Sequence, residues 1–326
     1  MKQFSTYFNQ EDLKRITEIL RIEYNEIDNL VESIRRNIAD ALKCEPTEPD
    51  DFRLLPFGLT NINLQFSLKD KFYVYRSPGF GTGLFMNRKS EAICNTVAHR
   101  LKIDQSFLYI DADEGWKISE LIPYTRYLNY HDSDDVDMAL DILRTLHNSG
   151  EKSEHDFLVW NETNKLHRES CELGRQKYQD FDALYEKMSH LFELTKKDNF
   201  PLVLCHVDCW EANFLVIEGN NNKELQLIDW EFSGNSDVGV DVGTFICCSD
   251  YTYEQGVDVI KRYYKGKPSK IELRHMIAYT SLISYCWFLL NVYYHSKRGV
   301  EDPFYEKRFY DNANKFYEGA LPYYQD

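Results

Sequence analysis

The sequence contains no Cys-x-x-Cys pair. Its eight cysteines stand at 44, 94, 171, 205, 209, 247, 248 and 286, a scatter that reads as reduced thiols in a cytosolic protein. The run Cys205, His206, Asp208, Cys209 is too tight for a zinc knuckle, and no second ligand pair follows it. Basic residues are scarce as well: 38 Lys and Arg stand against 53 Asp and Glu, for a net charge of −15. A nucleic-acid partner would want a basic face, so none is expected. A cationic small molecule is compatible with the excess of acid. The opening M-K-Q-F-S-T-Y-F-N-Q has no signal-peptide core, and a cytoplasmic location is expected. One long stretch lacks formal charge, Met276 to Tyr294, but it carries Thr280, Ser281, Ser284, Asn291 and four tyrosines. It reads as a buried helix, not a membrane span. There is no internal repeat and no low-complexity segment.

What is present is a chain of 326 residues, 43% hydrophobic and 15% aromatic. That is enough for a two-lobed enzyme and excludes general disorder. The most informative stretch is Leu202 to Phe232. Apolar runs Leu202–Cys205 and Phe214–Ile217 bracket His206, Asp208 and Asn213, and a third, Leu225–Ile228, delivers Asp229 and Glu231. The tract between the last two, Glu218 to Glu224, is rich in turn formers, so the expected order is strand, loop, strand, turn, strand. An Asp five residues before an Asn is the H-x-D-x-x-x-x-N spacing of kinase catalytic loops. In such loops the Asp accepts the proton of the attacking hydroxyl and the Asn holds Mg²⁺. Asn213, Asp229 and Glu231 are hard oxygen ligands of the kind Mg²⁺ takes. The plainer reading makes them ordinary loop residues; the I-D-W-E segment after the right interval weighs against it.

The segments L-C-H-V-D-C-W-E-A-N-F-L and L-I-D-W-E-F-S-G, with V-G-V-D-V-G-T-F carrying Asp241, resemble the choline/ethanolamine kinase branch of the aminoglycoside-phosphotransferase-like kinases. Bacterial choline kinases are the nearest members. The resemblance runs from about Phe52 to about Tyr317. It implies an α+β, two-lobed protein-kinase-like fold with a small β-rich N-lobe (51–122, ending in a hinge) and a larger, mostly helical C-lobe (123–326). Residues 1–50 would form a helical extension serving as packing or dimerisation surface, so a homodimer is a possibility.

Taken in order, residues 11–43 show helical apolar spacing, and Glu45–Asp51 is a Pro-rich acidic breaker. Arg53–Phe66 reads as strand, tight loop, strand. Gly58, Thr60 and Asn61 fit the family's G-x-x-N loop, where backbone N–H groups approach ATP phosphates. Lys71–Arg76 is a strand ending in a cation. Kinases commonly place Lys there to hold phosphates; here it is Arg76, as in choline kinases, whose planar fork can bind phosphate oxygens in pairs. Ser77–Gly83 resembles the family's R-x-P-G-x-G-T signature, and no Gly-Lys-Ser/Thr closes it as a Walker A loop. Glu91, at the start of a helix ending at Leu101, is the candidate ion-pair partner of Arg76. Trp116–Pro123 is a strand whose main chain near Glu120 and Ile122 would, by the resemblance, bind adenine. Helices are expected over 134–147, once or twice within 151–200, and over 251–264, 271–295 and 304–317.

The roles implied are these. Asp208 is the catalytic base and also touches substrate, with His206 propping its loop. Asn213, Asp229 and Glu231 are metal ligands; Arg76, Glu91, Gly58, Thr60, Asn61, Glu120 and Ile122 serve the nucleotide. Trp287, Phe232 and Tyr305 would form the aromatic cage of a quaternary ammonium. The family usually has Tyr where Phe232 stands and a second Trp where Leu290 stands. The expected reaction is ATP- and Mg²⁺-dependent phosphorylation of an amino alcohol, choline first. Ethanolamine or an aminoglycoside is the alternative within the class, and a non-catalytic kinase-like scaffold the alternative outside it.

Overall fold

Asn9 starts the first helix. Its side chain accepts from the Glu11 and Asp12 N–H groups while Asp12 reaches back to the Asn9 N–H, a capping box that opens α1 (Gln10–Leu20). In the computed structural model, which describes residues 7–56, 61–80, 86–219 and 222–325, the chain divides into two compact units, Met1–Pro123 and Tyr124–Asp326.

In the first unit α1 does not run on as the apolar spacing suggests. Arg21 turns left-handed at φ 54°, and the Ile22 N–H returns to the Thr17 carbonyl, a helix-ending arrangement. Glu23 and Glu26 then form a second reciprocal cap, and α2 follows (Ile27–Leu42). The single helix expected over 11–43 is therefore two, because local capping outweighs an apolar period that both helices share. Ile16, Ile34 and Ile38 pack with Phe52, Leu64, Phe66, Tyr75 and Ile118 in one cluster, so the N-terminal segment belongs to this unit's core.

The remaining elements of the unit are β1 (Asp50–Leu54), β2 (Asn61–Leu68), β3 (Lys71–Pro78), α3 (Arg88–Arg100), β4 (Phe107–Ile110) and β5 (Lys117–Glu120). The strands make one antiparallel sheet in the order β1-β2-β3-β5-β4. On β2 the side chains of Ile62, Leu64, Phe66 and Leu68 are buried at every second position, the period-2 pattern of a sheet with one covered face. This sheet carries Arg76 at the end of β3, and α3 carries Glu91.

The second unit holds β6 (Arg126–Tyr127), α4 (Ser133–His147), α5 (Val159–Lys177), α6 (Phe181–Thr195), β7 (Leu202–Cys205), β8 (Phe214–Glu218), β9 (Lys223–Leu227), β10 (Gly234–Asp237), α7 (Val238–Cys248), α8 (Tyr253–Tyr263), α9 (Lys270–Arg298) and α10 (Pro303–Ala320). Its strands form a β6-β8-β9 sheet and a β10-β7 pair. The long helix α9 is apolar enough to cross a membrane by composition, yet 83% of that apolar window is buried inside the protein. It serves as the hydrophobic centre on which α5, α7 and α10 pack. A sheet-rich first unit and a helical second unit make the α+β, kinase-like architecture expected.

Candidate active site

The candidate catalytic loop leaves β7 at Cys205 and enters β8 at Phe214. Its first residues are held in a conformation that L-residues avoid: Val207 lies at φ 76°, unusual for a β-branched side chain. Asp241, fully buried on α7, holds it there. One carboxylate oxygen accepts the Val207 N–H at 2.6 Å, and the other accepts the His206 N–H at 2.9 Å. His147 of α4 completes the anchor, its Nε2 lying 2.9 Å from Asp241 and its Nδ1 2.8 Å from the Tyr263 hydroxyl. Burial alone would raise the Asp241 pKa; the His147 hydrogen bond and charge, His206 and its main-chain N–H together hold it below the usual range. The strained turn is thus fixed by a buried network in which both Asp241 oxygens accept main-chain N–H groups, the kind of over-determined setting in which such strain persists.

Cys205, His147 and Asp241 bring ligand atoms close enough to hold a metal. Here Asp241 is engaged as an acceptor, and the Cys205 thiol points to the Ser236 and Asp237 carbonyls at 3.8 and 3.6 Å. The cluster is a loop anchor. His206 ties the loop to the next segment: its Nε2 lies 2.9 Å from the Ile228 carbonyl, and its ring meets Trp230 edge-on at 4.6 Å. That bond sets the residue before Asp229 against the loop bearing Asp208. Asp229 itself sits at φ 66°.

Asn213 closes the loop on Asp208. Its amide nitrogen donates to the Asp208 carbonyl at 2.9 Å and to the Asp208 carboxylate at 3.0 Å. Both bonds use the nitrogen, which leaves the amide oxygen as the atom suited to a cation. Burial, and then the neighbouring Asp229 carboxylate, push the Asp208 pKa up to about 7; Asn213 opposes the shift and Glu211 adds to it. The charges acting on Asp208 are therefore like charges. Asn213 and Glu231 are buried, at 6% exposure each. The donor set of Asn213, Asp229 and Glu231 is all hard oxygen. The site fits Mg²⁺ at Asn213, Asp229 and Glu231.

Two aromatic groups accompany these carboxylates. Phe232 meets Trp287 of α9 edge-on at 5.5 Å, and the Trp287 indole N–H donates to Thr244 of α7 at 3.1 Å. Tyr305 of α10 pairs instead with Trp210 of the catalytic loop, edge-on at 6.1 Å, and donates its hydroxyl to Glu211 at 3.0 Å. The sequence reading named Tyr305 but passed over Trp210 and Glu211. The signal for both was already there, in the loop sequence D-C-W-E-A-N.

In the first unit Arg76 Nη1 and Glu91 Oε1 are 2.6 Å apart, with side chains 5% and 0% exposed. This is the ion pair expected from the sequence. Arg88 joins it at 3.1 Å, and Arg76 donates to the Gly115 carbonyl at 3.1 Å. Gly115 lies at φ 80°, and a Cβ there would come within 2.6 Å of Arg88 Nε; only glycine fits. Burial would raise the Glu91 pKa, but Arg76, with Lys117 and Arg88, overrides it and holds the group at about 2. Asn61 accepts from the Gly79 N–H at 3.4 Å. Gly58 and Thr60, like residues 81–83 of the glycine-rich turn, lie outside the described residues. At the end of β5 the Glu120 N–H is spent on the Ser106 carbonyl and the Leu121 N–H on Phe72.

The family model described as choline/ethanolamine kinase matches residues 58–297, well over half of the chain. Protein LicA of Haemophilus influenzae is 26% identical over 194 residues, covering 58% of this chain and 56% of that protein. Choline kinase alpha of Mus musculus is 35% identical over 97 residues, 28% of this chain and 21% of that protein. The chain thus spans about half the length of the first of these relatives, and less of the second. Among solved structures, choline kinase LicA from Streptococcus pneumoniae superposes with a TM-score of 0.73 at 23% identity, over 89% of this chain and 99% of that one. Spectinomycin phosphotransferase, solved with ADP and spectinomycin, does so with a TM-score of 0.55 at 12% identity, over 90% of this chain and 98% of that one. These two share the fold. The family match takes in β3 with Arg76, the whole catalytic loop, Asp229 and Trp287, so the chain that carries this site belongs to the choline/ethanolamine kinase family.

Proposed function

We propose that this protein transfers a phosphoryl group from ATP to the hydroxyl of a small amino alcohol, and that choline is its substrate. The observation that carries this reading is the setting of Asp208: held by Asn213 at 3.0 Å, and raised by desolvation and then by like charges to a pKa of about 7. A carboxylate of that basicity can take the proton of an attacking hydroxyl near neutral pH. The same excess of negative charge suits substrates that arrive as cations.

The residues divide the work. Asp208 orients the alcohol and receives its proton. Asn213, Asp229 and Glu231 would hold Mg²⁺, which when bound neutralises charge on the phosphates. His206, through the Ile228 carbonyl, and Asp241, through the loop backbone, are positioning residues. Arg76 is the phosphate ligand, kept charged and aimed by Glu91. The adenine would be read by main-chain groups at the end of β5, where the Glu120 and Leu121 N–H groups already serve the sheet and Ile122 is the next in line. Phe232 and Trp287 offer π faces to a trimethylammonium group, which has no N–H to donate. A cytoplasmic setting, with ATP at hand, belongs to the same reading and accords with eight free cysteines.

A non-catalytic scaffold is the competing reading. It would have no use for a strained loop anchored by a buried Asp–His pair or for a carboxylate raised to about 7. ADP release measured with choline, ethanolamine, aminopropanol, an aminoglycoside and a neutral alcohol tests the proposal. Turnover with choline exceeding the others by tenfold or more in kcat/KM is expected. ADP release that no alcohol stimulates would leave the scaffold reading standing.

A further inference from the structure

We propose that Glu211 is the counter-charge for the ammonium group of the substrate, with Tyr305 as the residue that positions it. The inference rests on the reading of an amino alcohol as substrate and deepens it by naming where the positive end lies.

Glu211 opens the short 3₁₀ turn Glu211–Asn213, inside the catalytic loop between Asp208 and β8. Its Oε1 accepts the Tyr305 hydroxyl at 3.0 Å. Its Oε2 is buried beside the equally buried hydroxyl of Tyr130, whose pKa burial raises first and the Glu211 carboxylate raises further. Among the described residues no Lys, Arg or His lies within ion-pair distance of Glu211. A partly buried carboxylate that has tyrosine hydroxyls beside it and no cation is expensive to keep. Next to a catalytic Asp, that expense is offset if the site is built to receive a cation.

The chemistry of the substrate points the same way. In choline and ethanolamine only two carbons separate hydroxyl and nitrogen. With the hydroxyl at Asp208, the ammonium must come to rest within a few ångströms of it. Glu211 is three positions along the same short loop, and its charge is felt at Asp208. The indole of Trp210, beside Tyr305, supplies an aromatic surface at the same end of the loop. The Tyr305 ring is itself enclosed by Phe309 at 5.8 Å and by the Arg308 guanidinium at 5.4 Å. Its contribution is therefore the hydroxyl on Glu211, not an open π face. Tyr305 also lies beyond the residues 58–297 that the family model matches, so the clamp belongs to this chain's own C-terminal helix.

The test compares choline with its uncharged isostere 3,3-dimethylbutan-1-ol. Glu211→Gln keeps the volume and an acceptor for Tyr305 and removes only the charge. The choline KM should rise about tenfold, the ATP KM should stay within twofold, and the neutral alcohol should lose far less, so the selectivity ratio collapses. Tyr305→Phe, which keeps the ring and loses the hydroxyl, should shift the ratio the same way by about threefold. Should Glu211→Gln fail to fold, Glu211→Asp withdraws the charge by one methylene and is compared in the same way. Equal losses for choline and the neutral alcohol overturn the proposal, as does a displaced Mg²⁺ titration midpoint, which would make Glu211 a metal ligand. A Tyr305→Phe ratio at the wild-type value overturns the positioning role. Failure of the wild-type protein to phosphorylate any amino alcohol overturns the substrate reading itself, and is seen before a variant is made.

Discussion

Asp208 is half-buried and Glu91 fully buried, and their surroundings drive the two carboxylates in opposite directions. Around Asp208 burial and like charges favour the protonated form; around Glu91 three cations outweigh burial. The first is suited to move a proton and the second to remain an anion. Asp208→Asn should therefore cut kcat by about a thousandfold, within the range for loss of a general base, while the ATP KM changes by less than threefold. Steady-state kinetics at saturating alcohol checks it, and turnover near the parent's would remove Asp208 from its role. Glu91→Gln strands the buried Arg76 charge and should destabilise the protein by about 3 kcal/mol at neutral pH. The sign with pH follows from a folded pKa of about 2 against an unfolded value of about 4.3. The stabilisation from Glu91 is complete above the unfolded pKa and is lost as pH falls toward 2. The gap in melting temperature between parent and Glu91→Gln should thus shrink on acidification, and a gap that is constant from pH 7 to pH 3 would refute the assignment.

The catalytic loop is set by the helix beneath it. β7 and β8 deliver the chain, but the backbone at Val207 holds its φ of 76° through Asp241 on α7 and His147 on α4. Asp241→Asn replaces one acceptor oxygen with a donor that faces an N–H. It should cost about 2–3 kcal/mol and lower kcat by about a hundredfold, with the larger effect on kcat than on either KM. A variant with normal kcat would show that the loop keeps its shape without the anchor. The same dependence on neighbours explains why the shortest elements escaped the sequence reading. β6 has two residues and β10, G-N-S-D, has no apolar side chain. Such strands exist because β8 and β7 present open edges to them. Long elements with caps and a clear period were legible from composition alone, α4 and α10 among them.

For the molecule as a whole, the excess of acid is concentrated chemically as well as in number: the net charge is −15, and Asp208, Glu211, Asp229 and Glu231 fall within one short stretch. Ligands that bind only the folded state should stabilise it by mass action. ATP with Mg²⁺ at about a hundred times its Kd should add about 2.7 kcal/mol, seen as a rise of several degrees in melting temperature. Asp229→Asn should abolish the part of that rise that depends on Mg²⁺ and move the Mg²⁺ midpoint for activity upward. A midpoint equal to the parent's would place the metal elsewhere.

The sequence by itself determined the family and the residue types from which the site is proposed. The spacing of Asp208, Asn213 and Asp229 is local, set by strand–loop–strand segments that are readable from apolar runs and turn formers, and a charged partner for Arg76 could be named because a helix start with a Glu follows β3. What only the tertiary structure decided is what those groups experience. That α1 and α2 are separate depends on caps at Arg21 and Glu23. That Asp208 is basic depends on its desolvation and on how closely the fold brings the Asp229 carboxylate to it. That Glu211 faces Tyr305 depends on α10 packing along α9, bringing together residues 94 positions apart. Residue type and spacing are properties of the chain, whereas burial, pKa and the partner of a carboxylate arise from long-range packing, which local pattern does not encode.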